Sequence, residues 1–352
     1  MLKHCHGGDI YSTAYRIDYS ANINPLGTPA RVTEAAQKSI LECAHYPDVE
    51  CRALKSAIAE KEHIKSESVL CGNGAAELIF AIVQAEKPKK ALLLAPGFAE
   101  YEQALRSQGC EVAFYQLKKE NGFQYEVSYR DYLTEDMDMI FLCNPNNPTG
   151  LLIPREEILK ILQICQEKQI RVVLDSCFID FLEEKEDADY TGYLQKFPCL
   201  FILKAFTKIY AMAGLRLGYG MSSDTDLLLR MKEVIQPWSV SIPAQAAGIA
   251  ALKEEAFVEQ SRDLVQKERR WLKKNLEDLH LWVCDSKANY LFFQGPEDLA
   301  QRAKEEGILI RDCSNYHGLT RGFYRIAVRT EEENKELIRV FRKILKQAER
   351  RN

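Results

Sequence analysis

A lysine that follows an apolar run, with an arginine among glycines eight residues later, is the part of this sequence with the clearest chemical potential. The run Phe201-Ile202-Leu203 is typical of a buried strand, Lys208 follows it, and Arg216 lies within GLRLGYG. Such a pair can be a solvated loop lysine and a surface arginine. The alternative is a lysine that forms a Schiff base with an aldehyde cofactor, with an arginine that holds the cofactor's phosphate.

A glycine turn earlier in the chain offers a second candidate phosphate contact. Gly72-Asn73-Gly74 links an apolar run to a predicted helix that begins near Ala75, and amides at a helix start attract phosphate. The turn also fits the first half of a dinucleotide-binding fingerprint, but Glu77 occupies the position of its third glycine. Alone, the turn is weak evidence for any phosphate.

Two polar residues follow other predicted strands. Asn147 lies between the prolines of NPNNPTG, which would hold its amide in a fixed direction, although the segment is also readable as a rigid turn. Asp175 ends the run RVVL, where aspartate is often a helix cap. A pyridine cofactor needs a buried carboxylate of this kind, because the anion keeps the ring nitrogen protonated and electron-withdrawing.

The elements that must position these residues alternate between strands and helices. Strands are predicted at 68–71, 91–95, 111–116, 139–143 and 171–175, and helices at 75–85, 99–108 and 154–169. This order predicts an α/β fold with a mostly parallel central sheet, whose ligands lie outside the carboxyl ends of the strands. We predict an irregular N-terminal arm at 1–30, a large domain at 31–242 and a smaller α+β C-terminal domain at 243–352.

Bulk composition restricts the classes of partner. The formal net charge of −4 argues against a nucleic-acid or anionic-membrane surface as the main partner. No apolar run is long enough to cross a bilayer, and the first ten residues lack the core of a signal peptide. The eleven cysteines are scattered without a C-x-x-C pair, which predicts reduced thiols in a cytoplasmic protein and neither disulfides nor a metal site.

Taken together and in this order, the motifs resemble the fold type I pyridoxal-phosphate enzymes of the aspartate aminotransferase superfamily, the class I and II aminotransferases. NPNNPTG and the segment from Thr207-Lys208 to GLRLGY are the specific parts of the resemblance, which covers nearly the whole chain. It implies pyridoxal 5'-phosphate as the cofactor, with Lys208 as its covalent partner and as a carrier of protons. It further implies cofactor contacts by Gly74, Ala75, Phe98, Asn147, Asp175, Thr207 and Arg216, and by Tyr46 from the second subunit of a homodimer.

Within that superfamily, HGG, SANINPLG, PGFAEY and the C-terminal ILIRDCSNYHGL and FYRIAVR resemble decarboxylases that act on phosphorylated threonine for cobalamin biosynthesis. Histidinol-phosphate aminotransferases share the core motifs and are the alternative. The resemblance implies a small phosphorylated amino acid as substrate, bound by Arg311 at its phosphate and Arg325 at its carboxylate. It adds His6, Asn22, Tyr46 and Asn147 as substrate contacts. The residues alone do not choose between decarboxylation and transamination.

Two positions depart from the superfamily pattern. The residue after Asp175 is Ser176, where a glutamate is usual, and the third residue before the lysine is Ala205, where a serine or threonine is usual. One lost hydrogen bond to a charged phosphate is worth roughly 1.5–3 kcal/mol, unless Thr207 or a water replaces it.

Overall fold

The strands and helices follow the alternating order that the sequence predicts. The computed structural model describes residues 6–349. Its strands are β1 Ile17–Asp18, β2 Val69–Gly72, β3 Lys90–Ala95, β4 Glu111–Gln116, β5 Met139–Cys143, β6 Arg171–Asp175, β7 Leu200–Ala205, β8 Gly218–Met221, β9 Trp282–Val283, β10 Tyr290–Gln294, β11 Ile308–Leu309, β12 Arg311–Asp312 and β13 Phe323–Ala327. Its α-helices are α1 Ala30–Ser39, α2 Arg52–Glu62, α3 Ala75–Glu86, α4 Ala99–Ser107, α5 Arg155–Glu167, α6 Phe206–Ile209, α7 Thr225–Val234, α8 Ile242–Ala251, α9 Glu255–Glu277, α10 Leu299–Glu305 and α11 Glu331–Glu349.

Within the described residues, seven strands form the central sheet in the order β2-β8-β7-β6-β5-β3-β4. The neighbours from β7 to β4 pair in parallel, and β8 is antiparallel to both β7 and β2. The carboxyl ends of β2, β3, β5, β6 and β7 therefore lie at one edge, and β8 begins there. Strands buried on both faces, such as β5 and β7, read as continuous apolar runs because helices cover both sides of such a sheet.

Strand β8 was not predicted, because its sequence is rich in glycine. A Cβ on Gly218 would lie 2.5 Å from the Ala75 nitrogen, and a Cβ on Gly220 would lie 2.0 Å from the ring of Phe201. The glycines are therefore needed for close approach to α3 and β7, although glycine normally disfavours a strand. Helix α7 was also missed, and Asp224 caps its start by accepting a hydrogen bond from the Leu227 N–H.

A separate antiparallel sheet lies in the C-terminal region, in the order β12-β13-β10-β9. In its register, Arg311 of β12 is the partner of Arg325 of β13. The prediction of an entirely irregular arm was wrong at β1, because Ile17 and Asp18 pair in parallel with β11. The pairing joins the N-terminal segment to the region of the chain that carries Arg311.

The predicted α/β class with a mostly parallel central sheet is confirmed, and the three-part domain division stays a prediction. Among residues 6–349, no helix is both long and apolar enough to span a membrane. The same part of the chain contains no cluster of His, Cys, Asp and Glu side chains suited to a metal ion.

Candidate active site

A cavity of about 340 Å³ opens at the sheet edge where the carboxyl ends of the strands meet. Of the residues predicted to have a role, it is lined by His6, Asn22, Ala75, Phe98, Asn147, Asp175, Thr207, Lys208, Arg216, Arg311 and Arg325. The volume is in the range of small-molecule sites. Residues from the arm, the central sheet and the C-terminal sheet thus meet in one place, although their individual roles stay predictions.

Lys208 lies in α6, the single helical turn that follows β7. Its backbone carbonyl accepts a hydrogen bond from the Asn24 N–H at 3.1 Å, which ties the turn to the N-terminal segment. Burial, and next the nearby Arg325 guanidinium, lowers the pKa of the Lys208 amine to about 8. With a pKa of about 8, about a tenth of the Lys208 amine is uncharged at pH 7, and the uncharged form is the one that acts as a nucleophile or accepts a proton.

Asp175 is buried at the end of β6 and is held by two donors. The Tyr101 hydroxyl donates to its Oδ2 at 2.5 Å, and the Cys177 N–H donates to its Oδ1 at 3.0 Å. Tyr101 is itself buried, and burial, followed by the Asp175 charge, raises the pKa of its hydroxyl well above the ordinary value. Phe98 packs edge-on against Tyr101 with ring centroids 5.5 Å apart. Tyr101 was not predicted from the sequence.

The first residues of α3, Ala75 and Ala76, line a positively polarised corner of the cavity together with Arg216. Gly74 has a φ of +78°, and a Cβ there would lie 2.5 Å from Nη2 of Arg216. The guanidinium therefore lies directly against Gly74. The twelve-residue helix α3 begins at the next residue, Ala75. Both features favour an anion. Thr207 and Ala205 both line the same cavity.

Arg325 projects from β13 into the cavity and is 6% exposed. Its Nη1 donates to Oδ1 of Asn147 at 2.5 Å, and its Nη2 donates to the Ser20 carbonyl at 2.8 Å. Its Nε is buried without a hydrogen-bond partner among the described residues. A buried guanidinium with an unused donor is costly unless a hydrogen-bond acceptor pairs with that donor.

Arg311, the neighbour of Arg325 across the sheet, is also buried. Its Nη1 donates to the Asp312 carbonyl and its Nη2 to Oδ1 of Asn315, both at 2.8 Å. Its guanidinium carbon lies 5.3 Å from the centroid of the Tyr316 ring. These contacts fix the guanidinium plane and leave part of its donor capacity for a ligand.

The N-terminal HGG segment packs over the cavity at Ser20. The Gly8 N–H donates to the Ser20 hydroxyl at 2.7 Å, and a Cβ on Gly7 would lie 2.1 Å from the Ser20 carbonyl oxygen. Nδ1 of His6 lies 3.0 Å from a carboxylate oxygen of Glu100. Asn22 is buried beside them, and its Oδ1 has no hydrogen-bond partner within residues 6–349. The HGG motif therefore reflects close packing of the arm against the backbone that holds Arg325.

Tyr46 does not reach the cavity of its own chain. It is 78% exposed, and its ring stacks on Trp238 with centroids 4.6 Å apart. Leu41 is 86% exposed on the same stretch of chain. The predicted contact of Tyr46 requires a second subunit and remains a prediction.

The chain belongs to the aminotransferase class I and II family, whose model matches residues 16–341. This family uses pyridoxal 5'-phosphate, so the prediction of a pyridoxal-phosphate enzyme is confirmed.

Three known proteins show where the chain lies within this family. It is 36% identical to the threonine-phosphate decarboxylase of Salmonella typhimurium, over 98% of both chains. The crystal structure of the L-threonine-O-3-phosphate decarboxylase from Porphyromonas gingivalis superposes with a TM-score of 0.82 and 25% identity, over 94% of this chain and 100% of that one. The histidinol-phosphate aminotransferase from Clostridium acetobutylicum superposes with a TM-score of 0.89 and 30% identity, over 94% and 100%. The predicted resemblance is confirmed.

The cavity fits the family's cofactor. Gly74 leaves room for a guanidinium and a phosphate at the start of α3, Asp175 offers a buried carboxylate, and Lys208 offers an amine of lowered pKa. Bound there, the cofactor would supply an electron-withdrawing ring that accepts the electron pair of a bond broken at the substrate's Cα.

The lowered pKa of Lys208 predicts how cofactor capture depends on pH. The amine reacts with an aldehyde only when uncharged, and it becomes protonated as the pH falls through a pKa of about 8. We expect the rate of cofactor capture by the cofactor-free protein to fall about ten-fold per pH unit below that value and to level off above it. Stopped-flow absorbance measures this rate, and a pH-independent rate below about 8 would contradict the assignment.

The hydroxyl of Tyr101 predicts an effect on stability. In Tyr101→Phe, the buried Asp175 carboxylate loses a donor, and a hydrogen bond to a charged group contributes roughly 1.5–3 kcal/mol. We expect a loss of this size in the free energy of unfolding of the cofactor-free protein, measured by urea denaturation. Tyr129→Phe is the matched control, because Tyr129 is equally buried and its hydroxyl has no partner among the described residues. Equal losses in both variants would refute the role of the Tyr101 bond.

Proposed function

We propose that this enzyme decarboxylates L-threonine O-3-phosphate to (R)-1-aminopropan-2-yl phosphate and carbon dioxide, for cobalamin biosynthesis. The observation that carries the proposal is the pair Arg311 and Arg325, both buried and both facing the cavity that contains Lys208. Two cations buried in one cavity call for a ligand with two anionic groups. A phosphorylated amino acid has them in its phosphate and its carboxylate.

We assign one end of the substrate to each arginine. Arg325 and Asn147 would bind the carboxylate, as in the resemblance to the superfamily, and Arg311 with His6 would bind the phosphate. Asn22 would contact the substrate from the arm through its buried amide oxygen, which has no partner within residues 6–349. Planar guanidinium groups suit both anions, because each can donate two parallel hydrogen bonds.

Other residues would bind the cofactor. Lys208 would hold the cofactor covalently and move a proton to or from Cα. Asp175 would keep the ring nitrogen protonated, Asn147 would donate to the ring hydroxyl, and Phe98 would stack on the ring. Gly74, Ala75, Thr207 and Arg216 would hold the phosphate, with Tyr46 contributing from a partner subunit.

The positions of the substrate's phosphate and carboxylate decide which bond at Cα breaks. The bond at Cα that stands perpendicular to the ring plane is the one whose electron pair can be withdrawn. A decarboxylase must therefore hold the Cα–carboxylate bond in that direction, whereas an aminotransferase holds the Cα–H bond there. The high identity to a decarboxylase supports the first arrangement, and the higher TM-score with a histidinol-phosphate aminotransferase keeps transamination as the second candidate.

Product analysis separates the two candidates. We expect the cofactor-loaded protein to release carbon dioxide and the amine phosphate from L-threonine O-3-phosphate, in equal amounts and without any oxo-acid. If the protein releases no carbon dioxide, and an oxo-acid restores the aldehyde form of the cofactor after a half-reaction, the protein is an aminotransferase.

We further propose that the active unit is a cytoplasmic homodimer in which each site receives Tyr46 from the partner. The exposed residues Leu41, Tyr46 and Trp238 support an apolar contact face, and the ten cysteines among the described residues are all free thiols, as in a reducing compartment.

Mixing two inactive variants tests the shared site. Lys208→Ala and Tyr46→Ala are each expected to lose activity as separate dimers. After subunit exchange, a hybrid dimer contains one site with both native residues, so we expect activity well above the mean of the two variants. Activity that remains at the mean would contradict the contribution of Tyr46 across the interface.

A further inference from the structure

The two anion-binding arginines lie opposite each other on neighbouring strands. Arg311 and Arg325 are register partners across β12 and β13, and both side chains line the cavity. Side chains at directly opposed positions of an antiparallel pair are about 5 Å apart at Cβ, and like charges there repel. Burial strengthens that repulsion, because less water screens it. The spacing between the guanidinium groups therefore has to be set by neighbouring residues.

Tyr316 connects the two guanidinium groups. Its ring centroid lies 5.3 Å from the guanidinium carbon of Arg311, a cation–π distance. Its hydroxyl lies 3.5 Å from Oδ1 of Asn147, and this same oxygen accepts the hydrogen bond from Arg325. Tyr316 thus contacts one arginine directly and reaches the other through a single shared acceptor.

The turn that carries Tyr316 is fastened to the central sheet. The His317 ring stacks on Phe114 of β4, with centroids 3.9 Å apart and an interplanar angle of 9°. Gly318 has a φ of +79°, and a Cβ there would lie 2.1 Å from Oε1 of Gln116, the last residue of β4. The Tyr316 N–H also donates to the Cys313 carbonyl at 3.0 Å. The position of the Tyr316 ring is therefore fixed relative to the sheet that carries Asp175.

We propose that Tyr316 is the spacer that sets the distance between Arg311 and Arg325, and with it the length of amino acid that the site accepts. This rests on the proposed function, since it takes the two arginines as the binding points for phosphate and carboxylate. Tyr316 acts through Arg311 and Asn147, so it is a positioning residue that determines specificity. The preferred ligands are amino acids with a phosphate on the oxygen attached to Cβ.

Two phosphorylated amino acids of different length test the spacing. L-homoserine O-phosphate is one methylene longer than L-threonine O-3-phosphate, and L-serine O-phosphate has the same length but lacks the methyl group. Steady-state rates give the KM for the threonine compound and the inhibition constants of the other two. We expect the wild-type enzyme to favour the threonine compound over the longer ligand by at least about ten-fold.

Variants of Tyr316 should change this preference and not merely the overall affinity. In Tyr316→Met, which fills part of the volume with a flexible chain, we expect the preference over the homoserine compound to fall about ten-fold. Tyr316→Phe keeps the ring beside Arg311 and should retain most of the preference. The ratio of the inhibition constant of the serine compound to the KM of the threonine compound should stay unchanged in both variants. Thermal denaturation and the absorbance of bound cofactor monitor folding.

A surface variant keeps the inference testable if Tyr316→Met does not fold. Asn315 is exposed, and Asn315→Ala removes one of the hydrogen bonds that hold Arg311. Asn315→Ala should lower the preference for the threonine compound over the homoserine compound by a smaller factor than Tyr316→Met. A length preference that is unchanged in Tyr316→Met, or in Asn315→Ala if Tyr316→Met does not fold, would overturn the role of Tyr316. If the wild-type enzyme binds phosphorylated and unphosphorylated threonine equally, the proposed function itself fails, which is a different result.

Discussion

Replacing Lys208 by alanine is expected to abolish turnover, with a loss of at least about 10⁴-fold. The variant would lose the only side chain assigned to bind the cofactor covalently and to move the proton at Cα. The visible absorbance of lysine-bound cofactor should disappear, even if free cofactor still occupies the corner formed by α3 and Arg216. Product release measures the loss of turnover, and absorbance spectroscopy after removal of excess cofactor measures the loss of lysine-bound cofactor.

Two control variants separate chemistry from charge and from folding. Lys208→Arg keeps a positive charge but cannot form the same link at neutral pH, so it should resemble the alanine variant. Lys65→Ala removes an exposed lysine and should match the wild-type protein in both absorbance and rate. A Lys208→Ala protein that retained the wild-type spectrum would refute the assignment of this residue.

Replacing Arg311 by alanine is expected to raise the KM for L-threonine O-3-phosphate by about 10- to 100-fold. This range corresponds to the loss of charge-assisted hydrogen bonds of roughly 1.5–3 kcal/mol. Unphosphorylated L-threonine lacks the phosphate that would bind Arg311, so its weak binding should change little. The measurement is a comparison of KM or inhibition constants for the two compounds.

The control for Arg311→Ala is Arg321→Ala, which removes an exposed arginine between β12 and β13. It should leave both constants near the wild-type values. Equal losses for phosphorylated and unphosphorylated threonine in Arg311→Ala would show that this arginine supports the fold or the carboxylate and does not bind the phosphate.

Placement of the site followed from the order of strands in the sequence. Asp175, Asn147 and Lys208 each come just after an apolar run, and parallel strands bring such positions to one edge. Period and length sufficed for these strands because burial on both faces makes them continuously apolar. Strand β8 could not be predicted in this way, because its glycines are required by close contacts with residues that are distant in sequence.

The supporting residues of the site were harder to predict. Tyr101 carried a usable signal, because it lies three residues after Phe98, the residue that precedes α4. Glu100 and Tyr316 lie within the motifs PGFAEY and ILIRDCSNYHGL, but neither motif indicates their contacts. Their partners His6 and Arg311 are brought to them only by the packing of the arm and the C-terminal sheet. Contacts of this kind depend on tertiary structure that no local pattern encodes.

The two departures from the superfamily pattern have different outcomes. Ala205 and Thr207 both line the cavity, and compensation by the Thr207 hydroxyl stays a prediction. Ser176 is buried, and its N–H donates to the Leu203 carbonyl at 2.8 Å. Nothing in the structure explains the serine side chain at this position.

The fate of the hydrogen on Cα tests the central claim most directly. L-threonine O-3-phosphate with deuterium at Cα would be incubated with the cofactor-loaded enzyme, and the amine product examined by mass spectrometry. Decarboxylation breaks only the bond to the carboxylate, so we expect the amine phosphate to retain the deuterium and to gain one hydrogen from water. Loss of the deuterium from the recovered amino acid, or formation of an oxo-acid, would mean that the Cα–H bond is the one that breaks, and would contradict the decarboxylase assignment.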